Sequence, residues 1–295
     1  MRLKFAFVFY LCFLISCEPD NSALTKPKII LEGEISPNYV NIRLGRTINL
    51  TVDDFYEPIP DAKVRLFEND REVSDLDFHT LGSSYLSGYS SYYKSLPGYT
   101  YRIEAEIEGY PLVYAETIMP STPIFEFDGI YPSNDSYNSI MVFRVVINDP
   151  PSEENFYRLS GLGNFGFSGP GMQPDPVFDV YKSQFDKIAS RQSPFFSDRE
   201  ISGQRYVIDY YIYYLPENDE EKVDVEFIFG HLNYDSYWYE RTKYLQEQQH
   251  GDMFSEPVPL YSNVINAEGC FSAFNYIDTT FLCKRLNNGQ WIIEQ

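Results

Sequence analysis

The chain has 295 residues, 43% hydrophobic and 17% aromatic, a composition typical of a folded protein with a substantial core. It carries 43 acidic and 23 basic residues, a formal net charge of −20. This excess of acid argues against a nucleic-acid partner, because phosphate contacts need lysine and arginine. The length allows two ordinary domains or one large all-β domain.

The first elements in chain order are a short basic segment and an apolar run. Arg2 and Lys4 precede the apolar stretch Phe5–Leu14, and Cys17 follows shortly after. This arrangement is typical of a secretory signal, and the stretch is too short to cross a bilayer, which takes about 20 residues. The run Leu14-Ile15-Ser16-Cys17 resembles the lipobox of bacterial lipoproteins, in which the cysteine receives the acyl chains.

The lipobox likeness divides the start of the chain. We predict a lipoprotein signal peptide at residues 1–16, lipidation of Cys17, and a lipidated tether at residues 17–27. Glu18 and Asp20 resemble the surface-export signal of Bacteroidota lipoproteins. An ordinary signal peptide with an incidental cysteine and a plain acidic linker are the alternatives.

The next part of the chain is rich in strand signals. Val40, Ile42 and Leu44 alternate with polar residues, and Tyr99–Ile107 alternates almost perfectly. Short strands with turns at this spacing predict an antiparallel, immunoglobulin-like β-sandwich over residues 28–120. The fold class is therefore all-β and mainly antiparallel.

Residues 121–295 are predicted to form a second β-rich domain with one substantial helix. Ile140–Ile147 is a clear strand, and Tyr206–Leu215 and Val223–Leu232 are predicted to form a hairpin. Aromatic residues recurring at helical spacing predict the helix near residues 235–249.

Two cysteines remain after Cys12 leaves with the signal and Cys17 takes lipid. A hairpin with its loop at Asn275–Asp278 would place Cys270 opposite Cys283, at a separation that a disulfide can bridge. Envelope compartments permit disulfides. Two buried free thiols are the equal alternative.

Residues that could carry catalysis do not form a recognisable set. Gly161–Gly166 matches the dinucleotide pattern G-x-G-x-x-G, but the glycines and proline that follow cannot continue the helix that the mechanism needs. His79, His231 and His250 have no metal-ligand spacing, and no serine stands in a G-x-S-x-G elbow. We expect no catalytic residues, no metal and no cofactor.

Two segments have the composition of binding loops. Ser83–Tyr93 mixes tyrosine, serine and glycine as antibody loops do, and Gly161–Pro176 is long and rich in glycine and proline. A plain hairpin and a merely mobile segment are the alternatives. The residues predicted to form a partner or ligand surface are Tyr89, Tyr92, Phe165 and Phe167.

The order of several short segments resembles the Bacteroidota outer-membrane lipoproteins catalogued as domain of unknown function 4249. The segments are Lys28–Ile35, Pro97–Tyr101, Met119–Pro120, Asn148–Pro151, Glu154–Arg158, Gly203–Gln204, Tyr237–Trp238 and Pro257–Val264. The resemblance implies an outer-membrane lipoprotein, often encoded near TonB-dependent receptors, with no assigned catalytic residues. It gives the disulfide no support.

These observations lead to one expected function and two alternatives. We expect a non-enzymatic, surface-exposed outer-membrane lipoprotein that is an accessory or ligand-capturing partner of a TonB-dependent transporter. The alternatives are a carboxylate-dependent glycan hydrolase, whose two acids would lie about 5–10 Å apart in an open cleft, and a purely structural or adhesive envelope protein.

Overall fold

A computed structural model describes most of the chain from residue 27 onward. The described residues are 27–47, 56–80, 87–132, 140–151, 154–163, 195–199, 202–213, 222–249, 258–286 and 290–294. The predicted signal peptide, Cys17 and the tether before residue 27 lie outside them.

The first half of this part of the chain consists of strands. They are β1 (Ile29–Ser36), β2 (Tyr39–Thr47), β3 (Tyr56–Pro58), β4 (Lys63–Glu68), β5 (Arg71–His79), β6 (Gly88–Tyr92), β7 (Thr100–Glu106) and β8 (Val113–Ile118).

The second half adds nine strands and a helix to the described structure. They are β9 (Phe125–Pro132), β10 (Ile140–Asn148), β11 (Phe156–Gly163), β12 (Phe195–Ser197), β13 (Arg205–Tyr213), β14 (Lys222–Leu232), α1 (Tyr234–Gln249), β15 (Val264–Ile265), β16 (Glu268–Arg285) and β17 (Trp291–Ile293). The prediction of a mostly β protein is confirmed.

Most strands belong to one large, mixed, curled sheet. Its order is β12-β11-β14-β16-β1-β2-β6-β5-β4-β7-β8-β15, with β3 attached to β2 and β17 to β16. The predicted immunoglobulin-like sandwich over residues 28–120 is not what forms, because β5 joins what would be its two sheets. Asp77–His79 of β5 pair with β6, while Arg71–Leu76 pair with β4. The sheet therefore curls around one core, which includes Leu31, Leu66 and Tyr101.

A small antiparallel sheet of β13, β10 and β9 accompanies the large one. The predicted hairpin between Tyr206–Leu215 and Val223–Leu232 is wrong, because β13 pairs with β10, and β14 pairs with β11 and β16. Ile208 of β13 and Phe227 of β14 share one buried cluster. The two strands therefore lie in different sheets with the core between them.

Strand β16 connects the two parts of the large sheet. Its first residues pair in parallel with β1, and its later residues pair antiparallel with β14. Phe271 and Ala273 lie in the same core as β1 to β8. The division of the chain at residues 120 and 121 stays a prediction, and the structure adds that β15 and the start of β16 join the N-terminal sheet.

The parallel pairing of β1 and β16 depends on a glycine. Gly269 has a φ of +118°, and a Cβ there would lie 2.1 Å from the carbonyl oxygen of Leu31. No other residue fits this close approach without displacing a strand.

The helix predicted at residues 235–249 is confirmed as α1. Asn233 is its N-cap, since its Oδ1 accepts a hydrogen bond from the Ser236 amide at 3.0 Å. Tyr237 stacks on Phe156 with ring centroids 4.4 Å apart. Within the residues described, no helix is long and apolar enough to span a membrane.

Candidate functional site

Of the residues predicted to form a partner surface, Tyr92 is exposed, and it forms an aromatic pair with Tyr39, which was not among them. Tyr92 is 89% exposed at the end of β6, and its ring centroid lies 5.4 Å from that of Tyr39, which is 37% exposed. The two residues are directly opposite in the β2–β6 register, so the sheet fixes both rings. This Tyr39–Tyr92 pair offers apolar contact area with two hydroxyl groups at its rim.

Tyr89 does not belong to this surface. It is 2% exposed, its hydroxyl donates to the Ile59 carbonyl at 2.7 Å, and that oxygen accepts from the Ala62 amide at 2.9 Å. Burial raises the pKa of the Tyr89 hydroxyl. Three positions separate Tyr89 from Tyr92, which places them on opposite faces of a strand, so the prediction of both as surface residues is wrong.

Other predicted site residues lie outside the described residues. These are the lipidation site Cys17 and the loop residues Phe165 and Phe167. The dinucleotide-like stretch begins at Gly161, where the structure has the end of β11 rather than the start of a helix.

The two cysteines occupy one strand. The predicted hairpin at Asn275–Asp278 is replaced by the uninterrupted strand β16, so Cys270 and Cys283 are thirteen positions apart along an extended chain. At about 3.3 Å per residue this separation excludes a disulfide within the chain. Both are buried free thiols, and burial raises both pKa values, so neither has the character of a reactive thiolate.

A cluster of buried polar side chains lies where the turns after β10 and β12 meet. Asp149 accepts hydrogen bonds from the Tyr157 hydroxyl at 2.5 Å and from the Gly203 amide at 2.8 Å. Burial and the neighbouring carboxylate raise the pKa of Tyr157, so the hydroxyl stays a donor. These bonds fasten the turn after β10 to the segment before β13.

Asp198 holds the segment before β11 against the turn after β12 through hydrogen bonds to Asn155. One of its carboxylate oxygens accepts from the main-chain amide of Asn155 at 2.8 Å and from the Asn155 side chain at 3.1 Å. Burial raises the pKa of Asp198; the bonds from Asn155 oppose this, and the charge of Asp149 reinforces it. Asp149 and Asp198 are 7% and 1% exposed, so this pair does not present the open cleft that a glycan hydrolase needs.

His231 fixes the segment that links β8 to β9. Its Nδ1 lies 3.0 Å from the Ser121 carbonyl oxygen, and its ring meets the ring of Tyr157 edge-on at 4.7 Å. Burial lowers the pKa of His231 to about 4. The imidazole is therefore neutral at neutral pH, with the Nδ1 proton donated to Ser121 and Nε2 left as an acceptor without a partner in the described chain.

Asn275 fastens the same linker from the neighbouring strand. Its side-chain amide donates to the Pro120 carbonyl at 2.9 Å and to the Thr122 hydroxyl at 3.3 Å. His231 and Asn275 are directly opposite in the β14–β16 register. No sequence pattern indicates this arrangement, because only the pairing of β14 with β16 brings the two residues together.

These buried polar side chains are better suited to connecting segments of the chain than to catalysis. His231 and both buried carboxylates already bond to protein groups, and His79, by contrast, is exposed in β5. Across the described ranges, no group of three or more His, Cys, Asp or Glu side chains could hold a metal ion. The exposed Tyr39–Tyr92 pair is therefore the better candidate for recognition.

A comparison with protein families finds one matching model. It is described as "Domain of unknown function (DUF4249)" and matches residues 15–280. No curated protein matches the chain.

One solved structure is a distant match. It is described as "Crystal structure of Putative membrane anchored protein from Corynebacterium diphtheriae", with 12% sequence identity and a TM-score of 0.21. The match covers 71% of this chain and 55% of that chain. The chain thus spans little more than half the length of that structure, and a TM-score this low carries no argument about fold or function.

Proposed function

This chain belongs to the DUF4249 family, and we propose that it is a non-enzymatic lipoprotein of the outer membrane. In this proposal Cys17 carries the lipid, the folded part faces the cell surface, and the protein is an accessory or ligand-capturing partner of a TonB-dependent transporter. The lipobox-like run Leu14–Cys17 supports the anchor, and the family match includes residues 15–17 of this run.

The charge of the protein supports attachment through lipid rather than through the protein surface. A net charge of −20 opposes adsorption on an anionic membrane. Acyl chains contribute about 0.8 kcal/mol for each buried methylene group, and two or more chains give a durable anchor. The protein can then hold a binding surface close to a membrane receptor without touching lipid.

The observation that carries the partner role is the exposed Tyr39–Tyr92 pair. Tyrosine is enriched in protein interfaces because it combines a large apolar ring with a polar hydroxyl. Here both rings stand on paired strands of a packed sheet, so little conformational entropy is lost when a partner covers them. The tether before residue 28 would leave this rigid surface free to reach a neighbouring receptor.

The proposal is tested by isolating the native lipoprotein from gently solubilised outer membranes and identifying the proteins that accompany it. A β-barrel receptor of the TonB-dependent class is the expected companion. Recovery of the lipoprotein alone, at a yield where the receptor would be visible, contradicts the proposal.

The anchor is tested separately by Cys17→Ala. We expect this variant to lose incorporation of a labelled fatty acid and to leave the membrane fraction or remain unprocessed. Cys12→Ala is the matched control, because Cys12 belongs to the predicted signal peptide and its variant should keep both label and membrane retention. A wild-type protein without acyl label, and a Cys17→Ala variant that stays in the membrane, would contradict the anchor.

A further inference from the structure

The middle of strand β16 has a described strand on one side only. On that side β14 pairs with Phe274–Leu282 and continues to Lys284. On the other side β1 pairs as far as Ala273, and β17 begins at Cys283. Between these two strands, no described strand pairs with the second side of Tyr276–Thr280, which we call the β16 gap.

The direction of the main-chain groups in the β16 gap follows from bonds at its two ends. The Ala273 carbonyl accepts from the Asn233 amide on the β14 side, so odd-numbered residues face β14. The Leu282 carbonyl accepts from the Glu294 amide at 2.8 Å on the β17 side, so even-numbered residues face away from β14. Tyr276, Asp278 and Thr280 therefore direct three N–H and three C=O groups into the gap.

These six main-chain groups have no hydrogen-bond partner in the described part of the chain. Asp278, Thr279 and Thr280 are exposed, and Ile277 is 38% exposed. The gap is about 13 Å long at 3.3 Å per residue, which suits a strand of about five residues. An unpaired and accessible edge of this kind is a template for another strand.

The two faces of the β16 gap differ in chemistry. Ile277 and Thr279 lie opposite Phe229 and Phe227 of β14, on the face that covers the core. Asp278 lies on the other face, directly opposite Ile228 of β14, and Glu226 of β14 pairs with the next residue on that face, Thr280. Neither Asp278 nor Glu226 has a basic partner among the residues described, so this face carries two carboxylates whose charge is not compensated by an ion pair.

We propose that the β16 gap binds an extended segment of another protein as an added strand, and that this segment alternates apolar side chains with lysine or arginine. Main-chain hydrogen bonds supply the affinity, as in other cases of strand addition. The apolar side chains lie beside Ile277 and Thr279, and the basic ones lie beside Asp278, with Glu226 one strand farther away on the same face. A second copy of this chain is disfavoured, since each carries a net charge of −20.

This inference concerns a different surface from the Tyr39–Tyr92 pair and does not depend on lipid at Cys17. Its failure would leave the proposed function untouched, and failure of the proposed function would leave this inference untouched.

The probe is the synthetic peptide Thr-Val-Lys-Val-Arg-Val-Thr, added to the detergent-solubilised full chain. The readout is hydrogen exchange of residues 275–282, measured by mass spectrometry. We expect saturating peptide to slow exchange of this segment at least tenfold. The same peptide methylated on alternate main-chain nitrogens should give no protection, because it cannot donate along one edge, and a peptide with glutamate at both basic positions should bind at least tenfold more weakly.

Two variants locate the binding in the β16 gap. Thr280→Pro removes an N–H that faces the gap and spares the bonds to β14, so it should abolish protection while the circular dichroism spectrum stays native. Asp278→Lys should weaken binding at least tenfold, whereas Asp77→Lys, an exposed aspartate on β5, should leave it unchanged. Equal protection by the methylated peptide, unaffected binding to a natively folded Thr280→Pro, or protection by self-association without peptide would each overturn the proposal.

Discussion

At the scale of single residues, the hydrogen bonds of buried polar side chains give a structural role to short sequence motifs whose role composition does not indicate. Asp149 in the run Asn148–Pro151 bonds to Tyr157 and to the Gly203 amide, and His231 bonds to Ser121. The bonds to Gly203 and to Ser121 join residues that are 54 and 110 positions apart in the chain. The free-energy cost of burying the Asp149 and His231 side chains is offset by these hydrogen bonds.

The first prediction concerns His231 and pH. Its pKa is about 4 in the folded protein, below the ordinary value of 6.5, so the unfolded state binds a proton first as pH falls. The contribution of neutral His231 to the free energy of unfolding is complete above pH 6.5. It is lost as the pH falls from 6.5 toward 4, and the total loss is about 3 kcal/mol. Urea denaturation of the wild type from pH 7 to pH 4 should show this loss.

His231→Asn is the comparison, since the asparagine side-chain nitrogen takes the position of Nδ1, can still donate to the Ser121 carbonyl and does not titrate. Its free energy of unfolding should fall less steeply than that of the wild type between pH 6.5 and 4. The raised pKa of Asp198 acts in the opposite direction, but it is present in both proteins and cancels in the difference. Parallel curves for the two proteins would show that His231 is not the responsible group.

Sequence patterns predict only in part which tyrosine side chains are exposed. The tyrosine-rich composition around Tyr92 predicts a partner surface, and Tyr92 is 89% exposed. Tyr89 belongs to the same run, but its hydroxyl is committed to Ile59 and Ala62 across the core. Such a bond depends on a strand pairing that single-sequence reasoning does not provide.

At the scale of elements, the helix and most strands were predictable, whereas strand pairing was not. Asn275–Asp278 looks like a turn because of its polar ends. In the structure Asn275 is buried against Pro120, and Asp278 lies at the open edge of β16, so both polar residues fit within a continuous strand. The spacing of apolar residues indicates whether a segment is a helix or a strand, but it does not indicate which strand that segment pairs with.

The second prediction concerns the start of α1. Asn233 caps the helix through Ser236, its Oδ1 also lies 3.3 Å from the Ala273 amide, and its side-chain nitrogen donates to the Thr117 hydroxyl at 2.6 Å. Asn233→Ala should lower the free energy of unfolding by about 2 kcal/mol, because it removes a cap and leaves inward-facing groups unpaired.

Chemical denaturation of Asn233→Ala at constant pH measures this loss. Asn41→Ala is the matched control, since Asn41 is exposed on β2, and it should change stability by less than about 0.5 kcal/mol. An equal effect of the two substitutions would mean that Asn233 does not hold α1 on the sheet.

At the scale of the whole molecule, the mostly β fold followed from alternation along the chain, but the joined sheet did not. The parallel pairing of β1 with β16 joins residues about 240 positions apart, and it requires Gly269 to approach Leu31 closely. Contacts at this sequence separation leave no local signature beyond a glycine. The same pairing creates the β16 gap, because β1 ends where β16 continues.

The protein also combines a predicted lipid anchor, a net charge of −20 and, in its described part, the exposed Tyr39–Tyr92 pair. The central claim is that this pair contacts an outer-membrane receptor. Its most direct test is the amount of receptor that copurifies with Tyr92→Ala and with the double variant Tyr39→Ala, Tyr92→Ala. Tyr234→Ala is the control, because Tyr234 is a 54% exposed tyrosine at the start of α1.

For equal amounts of folded lipoprotein in the membrane, we predict that Tyr92→Ala lowers receptor recovery at least tenfold and that the double variant removes it. A loss of about 1.4 kcal/mol in binding corresponds to a factor of ten. Tyr234→Ala should retain the wild-type recovery. Undiminished recovery of the receptor with the double variant would contradict the account.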